Sequence, residues 1–171
     1  MSPVELLDAE LKLRPPTEAD IPAIVAACRD PEIARFIPFV PTSYNEDDAR
    51  RWLDAVQAGW RTTPERTFAV LDHERDEFLG VVTVNLAEKG TVGYWLAPDA
   101  RGRGVMTRSV ALVVDWARQT HGIGVLRLTT HPDNLASQRV AERAGFRRIG
   151  MTHEHPAFLD GTTEAVLFEL S

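Results

Sequence analysis

The sequence predicts an α/β fold of the α+β kind, in which a mixed central sheet of about seven strands is flanked by about four helices. Three observations predict this class. Three consecutive strand-like segments are joined by short turns, which indicates an antiparallel meander. Apolar residues at helical spacing occur both before and after that meander. The length of 171 residues, with no repeat and no internal linker, favours one domain over residues 1–171.

The region before the meander contains one predicted strand and two predicted helices. Residues 9–14 alternate between apolar and polar side chains like a strand. Residues 17–28 begin with a polar cap and an acidic first turn, and their apolar residues share one helical face. Residues 31–43 hold three prolines, which favours an ordered loop. A second helix is expected from Asn45 toward Gly59.

The meander and the segments after it complete the predicted order β-α-α-β-β-β-α-β-α-β-β. The meander strands are rich in β-branched and aromatic residues, and the later segments alternate between helical and strand patterns. The predicted segments are strands at 66–72, 78–86 and 91–97, a helix at 105–120, a strand at 125–130, a helix at 135–144, and strands at 146–153 and 164–170.

The composition argues against several classes of protein. No apolar stretch approaches the roughly 18 residues of a membrane-spanning helix, so no membrane association is expected. The acidic N-terminus lacks the basic and apolar regions of a secretory signal. Cys28 is the only cysteine, which leaves it without a disulfide partner or a metal-spaced partner. We therefore expect a cytoplasmic location and no metal.

The charge is distributed unevenly along the chain. The net charge is -6, yet residues 101–148 carry nine bases and three acids, whereas the rest of the chain sums to -12. A basic segment beside a glycine-rich turn favours a polyphosphate ligand. The acidic remainder would repel the backbone of a nucleic acid, so no nucleic-acid partner is expected.

The segment Y-W-L-A-P-D-A-R-G-R-G-V-M-T, residues 94–107, passes from an apolar strand through two glycines and two arginines into a helix. Gly102 and Gly104 permit backbone N–H groups to approach an anion, and the helix beginning near Val105 adds the positive end of its dipole. Glycines also serve at ordinary strand-to-helix turns, so both interpretations stay open. The pattern G-x-x-x-x-G-K-[ST] is absent, and Thr107 replaces the third glycine of G-x-G-x-x-G.

A second group of polar residues lies in H-P-D-N-L-A-S-Q-R-V-A-E-R-A-G-F, residues 131–146. Asn134 and Ser137 stand where a predicted strand meets a predicted helix, which is a common location for ligand contacts in open sheets. The alternative is that Asp133 or Asn134 caps the helix and that Ser137 faces solvent. The spacing alone leaves both possibilities open.

These two segments resemble the paired motifs of the GNAT acyltransferase superfamily, and within it the RimJ/RimL type of ribosomal-protein Nα-acetyltransferase. The resemblance covers nearly the whole chain and is strongest over residues 92–150. It implies acetyl-CoA as donor, with Asn134 near the pantetheine arm and Ser137 as the acid that protonates the departing thiolate. It further implies that the backbone of Tyr94, Trp95 and Leu96 binds the pantetheine arm, and that the turn formed by Arg101, Gly102, Arg103, Gly104, Val105, Met106 and Thr107 binds the pyrophosphate. Met106 departs from the small residue that the family pattern usually has there.

The general base is the part of the expected site at which this chain departs from its relatives. RimL-like relatives use a glutamate just after the Y-W-L strand, and Pro98 stands at that position here. Asp99 is the candidate substitute and would act through a water. The alternative is that Asp99 only opens the turn before Arg101. An α-amine with a pKa of about 8 is already partly neutral at pH 7, whereas a lysine amine costs roughly 4 to 5 kcal/mol to deprotonate. A site without a strong base therefore favours an α-amine or another weakly basic amine.

The acceptor is expected opposite the donor, under the proline-rich loop and the second helix. Phe36, Phe39 and Trp60 are candidates for its walls, and each is alternatively an ordinary packing residue. The resulting hypothesis is an acetyl-CoA-dependent N-acetyltransferase acting on the α-amine of a protein N-terminus. A small-molecule amine acetyltransferase and a non-catalytic acetyl-CoA-binding module are the alternatives. The resemblance also suggests a homodimer.

Overall fold

The computed structural model describes residues 4–171, which form a mixed eight-stranded sheet and five α-helices. This arrangement confirms the expected α/β class. The elements are β1 (Leu6–Leu7), β2 (Leu11–Arg14), α1 (Ile21–Cys28), α2 (Pro31–Phe36), α3 (Glu46–Thr62), β3 (Glu65–Asp72), β4 (Phe78–Asn85), β5 (Lys89–Leu96), α4 (Val105–His121), β6 (Val125–Thr130), α5 (Leu135–Arg143), β7 (Arg147–Thr152) and β8 (Ala165–Leu170).

Two short elements go beyond the sequence prediction. Strand β1 has two residues and pairs at the sheet edge, where Leu6 lies opposite Leu13. Helix α2 begins inside the segment expected to be a loop. Its cap is Asp30, whose carboxylate accepts a hydrogen bond from the backbone N–H of Glu32 at 3.3 Å. Pro31 stands at the first helical position, where its fixed φ suits the helix and its missing N–H costs nothing.

The sheet has the strand order β1-β2-β3-β4-β5-β6-β8-β7. Strands β1 to β5 pair as antiparallel neighbours, so the expected meander of β3, β4 and β5 is confirmed. Strands β6, β8 and β7 form a second antiparallel group. The two groups meet through one parallel pair, β5 with β6, which is joined in the chain by helix α4.

The core is divided between the two faces of the sheet. The larger cluster includes Phe68, Val110 and Phe168 and packs α4 against the strands. The smaller cluster joins α1, α2 and α3. Along β5, Tyr94 packs against the larger cluster and its neighbour Trp95 packs against the smaller one. Because successive side chains of a strand point to opposite faces, the two clusters lie on opposite sides of the sheet.

Candidate functional site

A cleft opens where strands β5 and β6 separate. Their parallel pairing joins Lys89, Gly90 and Thr91 to the start of β6. Beyond Thr91 the strands diverge, and the residues that follow line two cavities together with residues from α2 and α5. The gap lies at the carboxyl ends of two parallel strands, the position at which open α/β sheets bind ligands.

The first cavity, which we call the turn-side groove, has a volume of about 440 Å³. It runs from β5 past the glycine-arginine turn to α5, and residues of α2 also line it. Every residue predicted to contact the cofactor lines it, with the exception of Arg103. These residues are Tyr94, Trp95, Leu96, Arg101, Gly102, Gly104, Val105, Met106, Thr107, Asn134 and Ser137.

The turn at the end of the groove has the backbone geometry of an anion cradle. Gly102 and Gly104 have φ values of 73° and 72°. These values lie in the left-handed region of the backbone, which residues with a Cβ atom rarely adopt. Gly104 immediately precedes α4, so the unpaired N–H groups of the first turn and the positive end of the helix dipole lie at the groove. This arrangement can hold a phosphate group without any side-chain contact.

The arginines of the turn are placed differently from one another. The guanidinium of Arg101 donates to a carboxylate oxygen of Asp30 at 2.6 Å and to the carbonyl of Leu96 at 3.2 Å. Arg101 therefore ties the turn to the start of α2. Arg103 lines a separate cavity of about 260 Å³, whose acidic walls include Asp72 and Glu10.

Helix α5 adds positive charge to the groove. Arg139 and Arg143 are one helical turn apart and both line the turn-side groove. Sequence reasoning identified the basic segment that contains them, but not these two residues. Their i, i+4 spacing on a helix predicted from residue 135 was the available signal.

The second cavity, which we call the loop-side cavity, has a volume of about 280 Å³. Its walls come from the middle of β5, the end of β6, the chain after α2, and the segment between β7 and β8. The described residues that line it include no carboxylate, lysine or arginine, and its titratable side chains are Tyr94, His131 and His155.

The groove and the cavity meet at one place. Asn134 and Ser137 line both of them, as do Tyr94 and Trp95. Asn134 caps α5, because its Oδ1 accepts the backbone N–H of Ser137 at 3.1 Å. The capping role considered from the sequence is therefore present. It uses only the oxygen of the amide, so the Nδ2 group of Asn134, which makes no hydrogen bond within residues 4–171, is left to donate at the junction.

Ser137 and Tyr94 form a closed pair of hydrogen bonds at the junction. Ser137 Oγ donates to Tyr94 Oη at 3.0 Å, and Tyr94 Oη donates to the backbone carbonyl of Ser137 at 3.0 Å. Burial raises the pKa of Tyr94 to about 12, against the smaller lowering effect of the hydrogen bond from Ser137. The phenol therefore stays protonated near neutral pH and can return a proton to Oγ when the serine hydroxyl donates elsewhere.

The segment between β7 and β8 closes one side of the loop-side cavity. His155 and Phe158 stack with their ring centroids 4.3 Å apart and an interplanar angle of 13°. Phe158 also packs edge-on against His131, at 4.8 Å between centroids. Sequence reasoning missed all three residues. The run H-E-H-P-A-F, residues 153–158, was the signal for His155 and Phe158, and His131 opens the segment H-P-D-N at residues 131–134.

Of the four remaining predicted residues, one lines the groove and the cavity and three do not. Phe36 lines both the groove and the cavity. Phe39 is 89% exposed, with a positive φ of 70°, and follows the cavity residue Pro38. Trp60 packs edge-on against Phe68 and lines neither the groove nor the cavity. Asp99 is exposed in the short turn before the glycines, and the structure does not bring it to the junction.

Two features are absent from the part of the chain that the structure describes. Within residues 4–171, no group of three or more histidine, cysteine, aspartate or glutamate side chains is placed to hold a metal ion. None of the helices in this range has both the length and the apolar surface needed to cross a membrane.

Comparison with known proteins gives matches in sequence and in fold. A protein described as "Probable N-acetyltransferase YjcK" from Bacillus subtilis is 28% identical over 117 residues, which cover 66% of this chain and 65% of that relative's length. RimL, the ribosomal L7/L12 alpha-N-protein acetyltransferase in complex with coenzyme A, superposes with a TM-score of 0.84 at 19% identity, over 98% of this chain and 97% of that one. RimJ of Mycobacterium smegmatis, in complex with a CoA disulfide, gives a TM-score of 0.83 at 19% identity, over 98% and 86%.

The family assignment rests on a match that spans most of the sequence. The model of the acetyltransferase (GNAT) domain matches residues 10–147, which contain both the glycine-arginine turn and the start of α5. The chain therefore belongs to the acetyltransferase (GNAT) domain family, as its paired motifs predict.

Proposed function

We propose that this protein is an acetyl-CoA-dependent N-acetyltransferase whose acceptor is the α-amine of a protein N-terminus. One observation carries the proposal. The turn-side groove and the loop-side cavity meet at Ser137, Tyr94 and Asn134, so a donor lying in the groove and an acceptor lying in the cavity have their reactive ends at the same place. Holding two reactants together in this way supplies several kcal/mol of the reduction in the barrier.

The turn-side groove fits acetyl-CoA as the donor substrate. The backbone at Gly102 and Gly104 and the first turn of α4 provide N–H groups for the pyrophosphate. Arg139 and Arg143 provide positive charge along the same groove. The Nδ2 group of Asn134 offers a donor for the amides of the pantetheine arm. RimL and RimJ, which share this fold, are solved in complex with coenzyme A species, and this supports acetyl-CoA as the donor.

The proposed chemistry is direct attack of a neutral amine on the thioester carbonyl. The C–N bond forms, the C–S bond breaks, the amine nitrogen loses one proton, and Ser137 Oγ donates its own proton to the leaving thiolate. Tyr94 supports this step, because its protonated phenol lies 3.0 Å from Oγ and can replace the donated proton. Backbone N–H groups of β5 between Tyr94 and Leu96 are the proposed donors to the developing oxyanion.

The acceptor is proposed from charge and from the fold neighbours. The loop-side cavity has no carboxylate among its lining residues to hold an ammonium group, which favours an amine that loses its proton easily. An α-amine, with an ordinary pKa near 8, meets this condition better than a lysine amine near 10.4. The names of RimL and of related ribosomal-protein acetyltransferases with this fold support a protein N-terminus.

The test is release of coenzyme A thiol from acetyl-CoA with a panel of amines. The panel contains peptides with a free α-amine, the same peptides with a blocked α-amine and a free lysine, and small amines including amino-acid derivatives. The proposal predicts turnover with the free α-amine peptides and none with the blocked ones. Turnover with small amines alone would show a small-molecule acetyltransferase, and binding of acetyl-CoA without any turnover would show a non-catalytic module. A cytoplasmic location, a homodimer and the absence of a nucleic-acid partner stay predictions.

A further inference from the structure

The proposed reaction requires a group that accepts the proton of the acceptor amine. The sequence offered Asp99, which is exposed in a turn that lines neither the groove nor the cavity. Among the described residues, the titratable side chains on the wall of the loop-side cavity are Tyr94, His131 and His155. Burial raises the pKa of Tyr94 to about 12, so its phenol is a proton donor near neutral pH. The choice is therefore between the two histidines.

His131 has no nitrogen left to accept a proton from a substrate. Its Nδ1 accepts a hydrogen bond from the backbone N–H of Asp133 at 3.0 Å. Its other nitrogen, Nε2, lies 3.1 Å from a carboxylate oxygen of Asp160, to which it donates. Its ring is also 4% exposed and packed against Phe36 and Phe158. His131 thus holds the segment between β7 and β8 against the start of α5.

His155 has the opposite arrangement. Its Nδ1 lies 2.7 Å from the carbonyl oxygen of Pro156, and because a carbonyl only accepts, Nδ1 must carry the proton. In the neutral ring the lone pair is therefore on Nε2, which has no hydrogen-bond partner among residues 4–171. Stacking on Phe158 fixes the plane of the ring. The side chain is half-buried, so it contacts both the cavity and solvent.

We propose that Nε2 of His155 is the general base of this enzyme, an inference that rests on the proposed acetyl transfer. The amine nitrogen gives its proton to Nε2 as it forms the bond to the thioester carbon, and Ser137 gives its proton to the departing thiolate. The imidazolium that results loses its proton to solvent. Tyr94 returns a proton to Ser137 and takes one from solvent, so one proton leaves the site and one enters it. A histidine suits this role because the ordinary pKa of an imidazole lies near neutral pH.

The test compares two replacements of His155 that preserve different parts of its structure. His155→Asn keeps an N–H donor where Nδ1 contacts Pro156, and His155→Phe keeps the aromatic stack on Phe158. Neither has a base at the position of Nε2. We expect both to lower kcat with a free α-amine peptide by about 100-fold at pH 7 while leaving CoA affinity unchanged. His153→Asn is the matched control, since His153 is exposed on the same segment and lines neither the groove nor the cavity.

The pH profile separates a base from a packing residue. A neutral imidazole accepts a proton and an imidazolium does not, so the advantage of the wild type over both variants should shrink as the pH falls. Attack requires the neutral amine in the wild type and in both variants, so deprotonation of the amine changes all these rates alike and the loss should stay constant above the pKa of the acceptor. Tyr94 and His131 are the other titratable groups facing the cavity, and both are present in the wild type and in every variant.

Three results would overturn the inference. The first is a wild-type kcat in both variants, and the second is a loss of kcat that is the same at every pH. The third is a loss of kcat in only one of the two variants, which would indicate a packing role. Failure of the wild type to acetylate any amine would instead refute the proposed function, which keeps the two failures distinct. Circular dichroism and CoA titration of each variant verify that it is folded, and His155→Gln takes the place of either variant that is not.

Discussion

Replacement of Ser137 by alanine removes one hydroxyl group from the junction and leaves its surroundings in place. The backbone N–H of residue 137 still bonds to the Asn134 cap, because that contact does not use the side chain. Tyr94 Oη still donates to the backbone carbonyl of residue 137 at 3.0 Å. The alanine variant therefore keeps the start of α5, the shape of the groove and the position of the phenol. It tests the hydroxyl alone.

The magnitude follows from the single contact that is lost. The hydrogen bond from Ser137 Oγ to Tyr94 Oη, 3.0 Å long, contributes about 1 kcal/mol to stability, which lowers the Tm by about 2–4 °C in a chain of this length. Removal of a general acid lowers kcat by about 100-fold, which is ~2.7 kcal/mol of transition-state stabilisation. The affinity for CoA should be unchanged.

The assay is steady-state release of coenzyme A thiol with a free α-amine peptide, together with calorimetric titration of CoA. Ser109→Ala is the matched control. Ser109 is buried in α4 and donates to the carbonyl of Val105 at 2.9 Å, so its replacement also removes one hydrogen bond, at a residue outside the junction. The control should keep its kcat. An unchanged kcat in Ser137→Ala, or a fall of equal size in Ser109→Ala, would refute the role of the Ser137 hydroxyl.

Three further sets of substitutions test the cavity, the groove and the turn. Gly93→Val adds a side chain on the wall of the loop-side cavity, where an added Cβ meets no atom within 4 Å, so the KM for the peptide should rise in steady-state assays while CoA affinity is unchanged. Arg139→Gln with Arg143→Gln removes two charges from the groove; the Kd for CoA measured by calorimetry should rise by about 10-fold or more and depend less on salt. Gly104→Ala forces a φ of 72° on a residue with a Cβ, which costs about 1–2 kcal/mol and should lower the Tm by about 2–8 °C.

Each of these substitutions has a matched control elsewhere in the chain. Gly124→Val also adds a side chain in open space, at a residue outside both cavities, and should leave the peptide KM unchanged. Arg147→Gln removes an exposed charge from β7 and should leave the CoA Kd unchanged. Gly59→Ala lies within α3, where alanine is preferred over glycine, and should not lower the Tm. A control that behaves like its partner would contradict the corresponding role.

The sequence predicts the fold well where the pattern is local and periodic. The meander strands and the long helix α4 follow from the apolar period, and their observed bounds differ by only a few residues from the expected ones. Helix α2 lies within residues 31–43, where three prolines favour an ordered loop. Pro31 instead follows the cap Asp30 at the first helical position, where proline is tolerated.

The candidate site is predictable only to the extent that its residues are neighbours in the chain. The glycine turn and the cap of α5 are contiguous motifs, and both line the groove as expected. Arg101 pairs with the carboxylate of Asp30, which lies 71 positions earlier in the chain. No local sequence pattern predicts that ion pair. The same holds for His155, which reaches the cavity only because the segment between β7 and β8 folds back over the cleft.

The presence of an aromatic residue does not predict whether it lines the cleft, because that also depends on contacts between distant parts of the chain. Phe36 and Trp60 looked equivalent as possible walls of the acceptor site. The structure places Phe36 beside both the groove and the cavity, whereas Trp60 packs against Phe68 and donates from Nε1 to the carbonyl of Thr67 at 3.1 Å. The face of a helix that meets the cleft depends on packing between distant elements, which the apolar pattern alone does not specify.

The central claim is that the groove and the cavity meet at Ser137 to form one reaction centre. A crystal structure of the complex with coenzyme A tests it most directly, through the distance between the CoA sulfur atom and Ser137 Oγ. We predict a sulfur atom at the junction, within hydrogen-bond reach of Oγ, with the pyrophosphate at the turn formed by Gly102 and Gly104. A sulfur atom that lies away from the junction, or a pyrophosphate bound elsewhere, would contradict the claim.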